Sequence, residues 1–244
     1  MKLDHVLIRV ANLNQAIMDF KTMGFNTYPG NSKKHCHHAM IYFSDETFIE
    51  LVDPTKFPYL YRWLAKLGIL SKLGPLFKRF GKYATTNNLF IDYALLADPF
   101  EEFYESVTNK SKILTMRRKN HLGQKLTWKL FAFKELELPF VMSEYLPERL
   151  PEPFADEHSN GVQGIDILEI SATKDFLQTF SKRFDIPLTS DNSFSLKNTQ
   201  INSVNQNRNS LNSVILKIES KNTTIDKELL KKYGLQIATT TYDQ

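Results

Sequence analysis

The chain has 244 residues, enough for one large domain or two small ones. It is 42% hydrophobic and 12% aromatic, which supports a packed core and excludes a disordered or fibrous chain. A net charge of +4 is too small to argue for nucleic acid without a concentrated patch, and no apolar run is long enough to span a bilayer.

Leu3 to Val10 alternates. Val6, Ile8 and Val10 fall on one face of a strand; His5, Leu7 and Arg9 fall on the other. A strand packed by a helix on one side and open to a cavity on the other reads this way. A helix follows, with Asn12 as N-cap, Gln15 at the capping-box position and Leu13, Ala16, Ile17 and Phe20 at helical spacing. Gly24 stops it. Phe25 to Tyr28 reads as a short strand, and Ala39 to Phe43 with Thr47 to Val52 as a hairpin. The order is βαβββ. On the last strand Phe48, Glu50 and Val52 share a face, and a carboxylate in such a strand is costly unless it meets a partner. His5 is the nearest candidate of matching chemistry.

Residues 55 to 87 break this rhythm. Leu60, Trp63, Leu64 and Leu67 recur at i, i+3, i+4 and i+7, with Gly68 as a stop, and a second short helix is expected over Leu76 to Phe80. No acidic residue stands between Asp53 and Asp92, while Lys56, Arg62, Lys66, Lys72, Lys78, Arg79 and Lys82 are basic. The segment reads as a helical insertion that buries its apolar stripe on the barrel and shows a basic face to water. The alternatives are a lid over the cavity or a surface for anionic lipid or an anionic ligand.

Leu89 to Leu96 opens a second unit. Asp98 is the expected N-cap, with Pro99 at N1 and Glu101 at the capping-box position. Phe100, Phe103, Tyr104 and Val107 make the helix stripe. Strands over 113–118, 125–133 and 139–145 complete a second βαβββ. Arg117, Arg118 and Lys119 read as a solvated turn. Residues 148–161, with Pro151 and Pro153, read as a linker. A third, degenerate unit is expected over 162–244. It has a strand over 162–170, a helix over 174–185, a polar Ser/Asn-rich hairpin, a strand over 214–218, then a C-terminal helix over 225–233 and a closing strand over 234–241.

The phrases Leu3-Asp4-His5-Val6, Asn12-Leu13, Met23-Gly24-Phe25 and Phe48-Ile49-Glu50-Leu51 carry a family resemblance. So do Gln124 to Leu130 and Leu138-Pro139-Phe140. In that order the chain resembles the vicinal oxygen chelate superfamily, and more narrowly its glyoxalase-like branch, well over 1–147 and loosely beyond. The resemblance implies an α+β fold in which units 1–54 and 88–147 pair into a cupped barrel, with 55–87 inserted between them. It implies metal ligands at His5 and Glu50 facing the cup; the alternative is a hydrogen-bonded His5–Glu50 pair without metal. An imidazole and a carboxylate suit Zn, Fe, Mn or Ni. The first strand of the second unit departs from the pattern, because it has no histidine. Asp92 is the best substitute, although a slip of one residue would turn Ile91 to the cup instead. The ligand position on the last strand of that unit is expected at Ser143 or Glu144.

The dense run His35, Cys36, His37 and His38 contributes one cavity residue, expected at His37 or His38. Arg9, Tyr42 and Trp128 are further candidates for the cavity wall, with ordinary packing as the alternative. The leading functional expectation is a metal-dependent enzyme on a small oxygenated molecule. Its metal acts as a Lewis acid, and Glu50, Asp92 or Glu144 complete the shell or move a proton. The alternative is a binding protein that sequesters a small molecule without turnover. A third is a peripheral protein working through the basic insertion. The expected partner is a small-molecule ligand rather than nucleic acid or membrane. A homodimer is expected if the apolar face of the third unit, with Ile165, Val214 and Leu216, is not covered within the chain. Cys36, as the single cysteine, excludes an internal disulfide and suits a reducing compartment, and an N-terminus that enters a strand at once is read as having no signal peptide. A cytoplasmic protein is expected.

Overall fold

The computed structural model describes residues 1–30, 36–119, 123–148, 158–205, 209–218 and 225–238. His35, His121, most of the linker, including Pro151 and Pro153, and the end of the expected closing strand lie outside the described residues.

The first unit is β1 (Lys2–Arg9), α1 (Leu13–Thr22), β2 (Tyr28–Pro29), β3 (His38–Tyr42) and β4 (Phe48–Val52). Asn12 caps α1 as its sequence predicts, its side chain accepting from the backbone N–H of Asn14 and Gln15. Gln15 does not close a capping box; its amide donates to Asp19 instead. Gly24 ends the helix at φ +88°. The second unit is β5 (Phe90–Leu96), α4 (Phe100–Ser106), β6 (Leu114–Lys119), β7 (Lys125–Phe131) and β8 (Phe140–Met142). Here Pro99, not Asp98, holds the cap position of α4, and no side chain caps it; Glu101 and Glu102 in the first turn meet the positive end of the helix instead.

Among the described residues these strands make one sheet in the order β2-β3-β4-β1-β5-β8-β7-β6. The order is symmetric about the antiparallel β1–β5 pair, with β1 parallel to β4 and β5 parallel to β8. Two βαβββ units therefore join through their first strands. This is the cupped α+β barrel the sequence predicts.

The rest of the chain repeats the same logic in a shorter form. β9 (Val162–Ser171), α5 (Lys174–Phe184), β10 (Ser193–Ser195) and β11 (Gln200–Asn205) are followed by β12 (Ser210–Ile218), α6 (Lys227–Lys232) and β13 (Leu235–Ile237). The second sheet runs β10-β11-β9-β12-β13. β9 is parallel to β11 and antiparallel to β12, and β12 is parallel to β13. These are the pairings of β1, β4, β5 and β8. Residues 162–205 thus form a third unit, and β12-α6-β13 takes the places of β5, α4 and β8 as the remnant of a fourth.

The helix-side faces of both sheets share one core. Val6 and Ile8 of β1 and Val10 just after it join Leu13, Ala16 and Phe20 of α1, and the same cluster holds Ile165, Val214 and Leu216 of the second sheet, all buried. Phe103 of α4 stacks on Phe184 of α5, and Phe20 packs on Tyr233 after α6. The face whose exposure would call for a dimer is covered within the chain. Asp19 ties the halves together, accepting from Lys232 Nζ at 2.6 Å and Tyr233 Oη at 2.7 Å. His158, which the sequence leaves unassigned, is buried where the halves meet: its Nδ1 accepts from Asn26 N and its Nε2 donates to Tyr42 O.

The insertion forms α2 (Tyr59–Lys66) and α3 (Pro75–Thr85). Only α3 docks deeply. Leu76 and Tyr83 join the apolar cluster on the concave face of the large sheet, with Leu7, Phe140 and Met142. Each such burial stabilises by roughly 1.5–3 kcal/mol. The predicted burial of the α2 stripe is corrected: α2 has no buried residue, and Leu60, Trp63 and Leu67 are 64%, 46% and 55% exposed. The reason is geometric. α3 occupies the apolar surface, and α2 rests on α3, where Gly81 lies against Ala65 and Leu70.

Candidate functional site

The concave face of the large sheet carries the candidate residues. Strand register decides which of them meet. His5 pairs with Phe48 and Leu7 with Glu50 across β1–β4; Met40 pairs with Glu50 and Tyr42 with Phe48 across β3–β4. His5 and Glu50 therefore share the face, as their alternation predicts, one step apart on neighbouring strands. His5 is buried, and its ring stacks on Phe48 with centroids 4.5 Å apart. Its Nε2 stands 3.7 Å from Glu50 Oε2. That is beyond a hydrogen bond.

Asp4 explains the orientation of His5. The β1–β5 register slips between Leu3 and His5, and this bulge turns Asp4 toward the face of its neighbour. Asp4 Oδ2 lies 2.6 Å from His5 Nδ1, and both groups are buried. The Asp4 carboxylate at Nδ1 holds the ring so that Nε2 points toward Glu50. Asp4, His5 and Glu50 thus stand in line, with one carboxylate behind the imidazole and one in front of it.

Among its described residues the second unit supplies no matching pair. Asp92 lies eight residues before α4 begins, as His5 lies eight before α1, and it reaches the cup side as predicted. A second register slip, between Leu7 and Ile8, lets Ile91 reach the cup as well. Asp92 is already committed. Its Oδ2 accepts from Arg79 Nη1 at 2.5 Å and from Tyr83 Oη at 2.6 Å, and its Oδ1 accepts from Tyr93 N. Arg79 also donates to the carbonyls of Leu136 and Leu138. Burial works against the Arg79 charge, but Asp92 and Tyr83 outweigh it, so the guanidinium pKa stands above its ordinary value. Burial first, then Asp92, pushes the Tyr83 phenol far up.

The register of β8 corrects the other expected ligand. Ala94 pairs with Phe140 as Leu7 pairs with Glu50, so Phe140 takes the place that Glu50 has in the first unit. Its ring meets His5 edge-on at 5.7 Å. Ser143 and Glu144 follow β8; Ser143 Oγ accepts from Lys129 N, and Glu144 is exposed. Among the described residues no group of three or more His, Cys, Asp or Glu side chains is placed to hold a metal.

The cup wall is more cationic than the sequence suggests. Arg118 is half-buried, not solvated: it donates to Tyr42 Oη at 3.4 Å and lies 5.6 Å from the Trp128 ring, which packs on Tyr145. Its Nε is buried without a hydrogen-bond partner among the described residues. The signal was the alternation of β6, where Leu114, Met116 and Arg118 turn inward and Thr115, Arg117 and Lys119 outward. Arg9 lies in the same row as Val52 and His38, with its Nε likewise unpartnered. His38 rests on Gly30, where an added Cβ would stand 1.8 Å from the ring. His37 packs edge-on against Phe57. Burial holds both imidazoles below their ordinary pKa, against the pull of Glu50. A shallow depression of 380 Å³ at Lys21, Phe25 and Ser159 lies apart from all of these residues.

The family model described as "Glyoxalase-like domain" matches residues 3–183. The chain belongs to the glyoxalase-like domain family. No curated protein matches the chain. A hypothetical protein from Staphylococcus aureus shares the fold, with a TM-score of 0.66 at 16% identity over 97% of this chain and 99% of that one. The Mn(II)-bound glyoxalase from Novosphingobium aromaticivorans is similar at a TM-score of 0.47 and 11% identity, over 90% of this chain and 66% of that one. An extradiol ring-cleaving dioxygenase from B.fuscum gives 0.48 and 10%, over 96% of this chain and 60% of that one.

Proposed function

We propose that this glyoxalase-like protein acts on a small, oxygenated, anionic molecule in the cup, with a divalent metal held by His5 and Glu50. The observation that carries the reading is the Asp4–His5 contact at 2.6 Å, which turns Nε2 toward Glu50. An imidazole nitrogen and a carboxylate oxygen 3.7 Å apart without a hydrogen bond between them suit a shared cation. Two protein ligands leave open positions for the ligand's own oxygens. When bound, the metal supplies Lewis-acid polarisation of those oxygens. Glu50 is the carboxylate left to take a proton, because Asp92 is saturated and Glu144 is exposed. Arg118, with its unpartnered Nε, orients an anionic group. Zn, Fe, Mn and Ni all fit an imidazole–carboxylate pair. No described helix is long and apolar enough to cross a membrane, and the single cysteine favours the cytoplasm.

A second reading is favoured by Phe140 and by the locked Asp92. With half of the ligand places gone, the cup sequesters its ligand without metal or turnover. Metal analysis of the purified protein and thermal shifts with Mn²⁺ or Zn²⁺ separate the two. The metal reading expects a raised Tm that is lost in His5→Ala and Glu50→Gln. A protein that purifies without metal and does not respond supports the second.

A further inference from the structure

Seven of the ten exposed large hydrophobic side chains among the described residues fall between positions 59 and 77. Leu60 and Trp63 of α2 and Leu67 at its C-cap share one face at i, i+3 and i+7. Leu73, 60% exposed, and Phe77, 39% exposed, add to this set from the neighbouring turn and the start of α3. Such a concentration of exposed apolar side chains on packed neighbouring elements marks an interaction site. It is not a loose lid. The inner side of α3 is fixed in the cup by Leu76, by Tyr83 and by the buried Arg79–Asp92 pair, so the outer side is held out as a preformed surface.

Charge identifies the occupant. Lys56, Lys66, Lys72 and Lys78 are exposed in the same segment, and no acidic residue occurs between Asp53 and Asp92. A second copy of this surface would bring like charges together with no carboxylate to pair them, so self-association is disfavoured. Nucleic acid would leave the aliphatic side chains of Leu60, Leu67 and Leu73 unused. A surface that combines protruding aliphatics, an interfacial Trp and surrounding lysines matches the headgroup zone of an anionic bilayer, where apolar groups enter the acyl boundary and lysines meet lipid phosphates.

We propose that the outer face of the α2–α3 insertion docks peripherally on an anionic membrane surface. This does not rest on the metal or the chemistry of the cup.

The test is flotation of the full chain with phosphatidylcholine vesicles, with and without phosphatidylglycerol, at two salt concentrations. Binding to anionic vesicles that weakens with salt is expected, together with a blue shift of Trp63 fluorescence in a Trp128→Phe background. Trp63→Asp should weaken partitioning by about tenfold, and Lys66→Glu/Lys72→Glu/Lys78→Glu together by about a hundredfold, from roughly 1 kcal/mol per cation near the surface. These side chains are exposed, and an unchanged Tm confirms folding. No binding to anionic vesicles overturns the proposal, as does binding that ignores Trp63→Asp. A vesicle-free dimer abolished by Trp63→Asp assigns the patch to self-association and also overturns it. So does capture of an acidic polypeptide with an affinity that vesicles fail to match.

Discussion

Arg79 of the inserted helix reaches into the cup and meets Asp92 of β5 at 2.5 Å, with the two side chains 1% and 8% exposed. An insertion outside the family's repeating units thus supplies the counter-ion for a carboxylate inside them. Removing one partner strands the other, so Arg79→Met and Asp92→Leu should each destabilise by about 3–5 kcal/mol, whereas the double variant, with no buried charge, should recover most of that loss. Urea midpoints of the four proteins check this. Additive losses would sink it.

Asp4 acts through His5. Asp4→Asn keeps the shape but loosens the tautomer and weakens the imidazole as a donor. Metal affinity, measured by calorimetry with Mn²⁺ or Zn²⁺, should fall by about 10–100-fold with little change in stoichiometry. An unchanged affinity removes Asp4 from the site.

Phe140 sits where the second unit's ligand would stand. Phe140→His places an imidazole beside His5 and Glu50 and should tighten metal binding, since affinity follows ligand number. The same substitution should cost stability without metal, because a buried ring nitrogen replaces apolar contacts. Calorimetry and metal-free melting read the two effects separately.

Asp19 predicts an acid limit. Its contact with Lys232, reinforced by Tyr233 and Gln15, lowers its pKa from 3.8 to about 2. A carboxylate depressed in the folded state binds its proton more readily when unfolded. Its stabilising contribution is therefore complete above the unfolded pKa and is lost as pH falls from about 4 toward 2. Unfolding midpoints between pH 5 and 2 should drop less steeply in Asp19→Asn than in the wild type. Parallel curves would refute the assignment.

Gly164 of β9 touches the first unit. An added Cβ would lie 1.8 Å from Asp45 Oδ2, and Asp45 is held by Thr47 N at 2.9 Å and Thr47 Oγ1 at 2.6 Å. Gly164→Ala should lower stability by about 1–3 kcal/mol. In an Asp45→Ala background the same change should cost little, as thermal melts of the pair will show.

The two βαβββ units and the shared face of His5 and Glu50 were legible because strand alternation and helix caps are local signals. Asp4 was not, because a bulge breaks the alternation that assigns faces, and nothing in the residue string marks the bulge. The ligand place at Phe140, expected at Ser143 or Glu144, depends on which residue of β5 lies opposite, and register across a parallel pair is non-local. Arg118 was hidden by its charged neighbours, although its strand alternates cleanly. The stripe of Leu60, Trp63 and Leu67 shows that a helix has an apolar face; it does not show what covers that face. The fourth unit was obscured because its two middle strands are missing, leaving a short helix and a three-residue strand to stand for it.

That truncation has a consequence for aggregation. A sheet that does not close exposes its outermost strands to pairing with other chains. In the second sheet those strands, β10 and β13, are three residues each. In the first, β2 has two residues and ends in Pro29, and β6 turns Arg117 and Lys119 to solvent. A foreign strand arriving at any of these borders finds few backbone hydrogen bonds or meets positive charge. The fold stays open at its rims yet offers a poor template for amyloid-like growth.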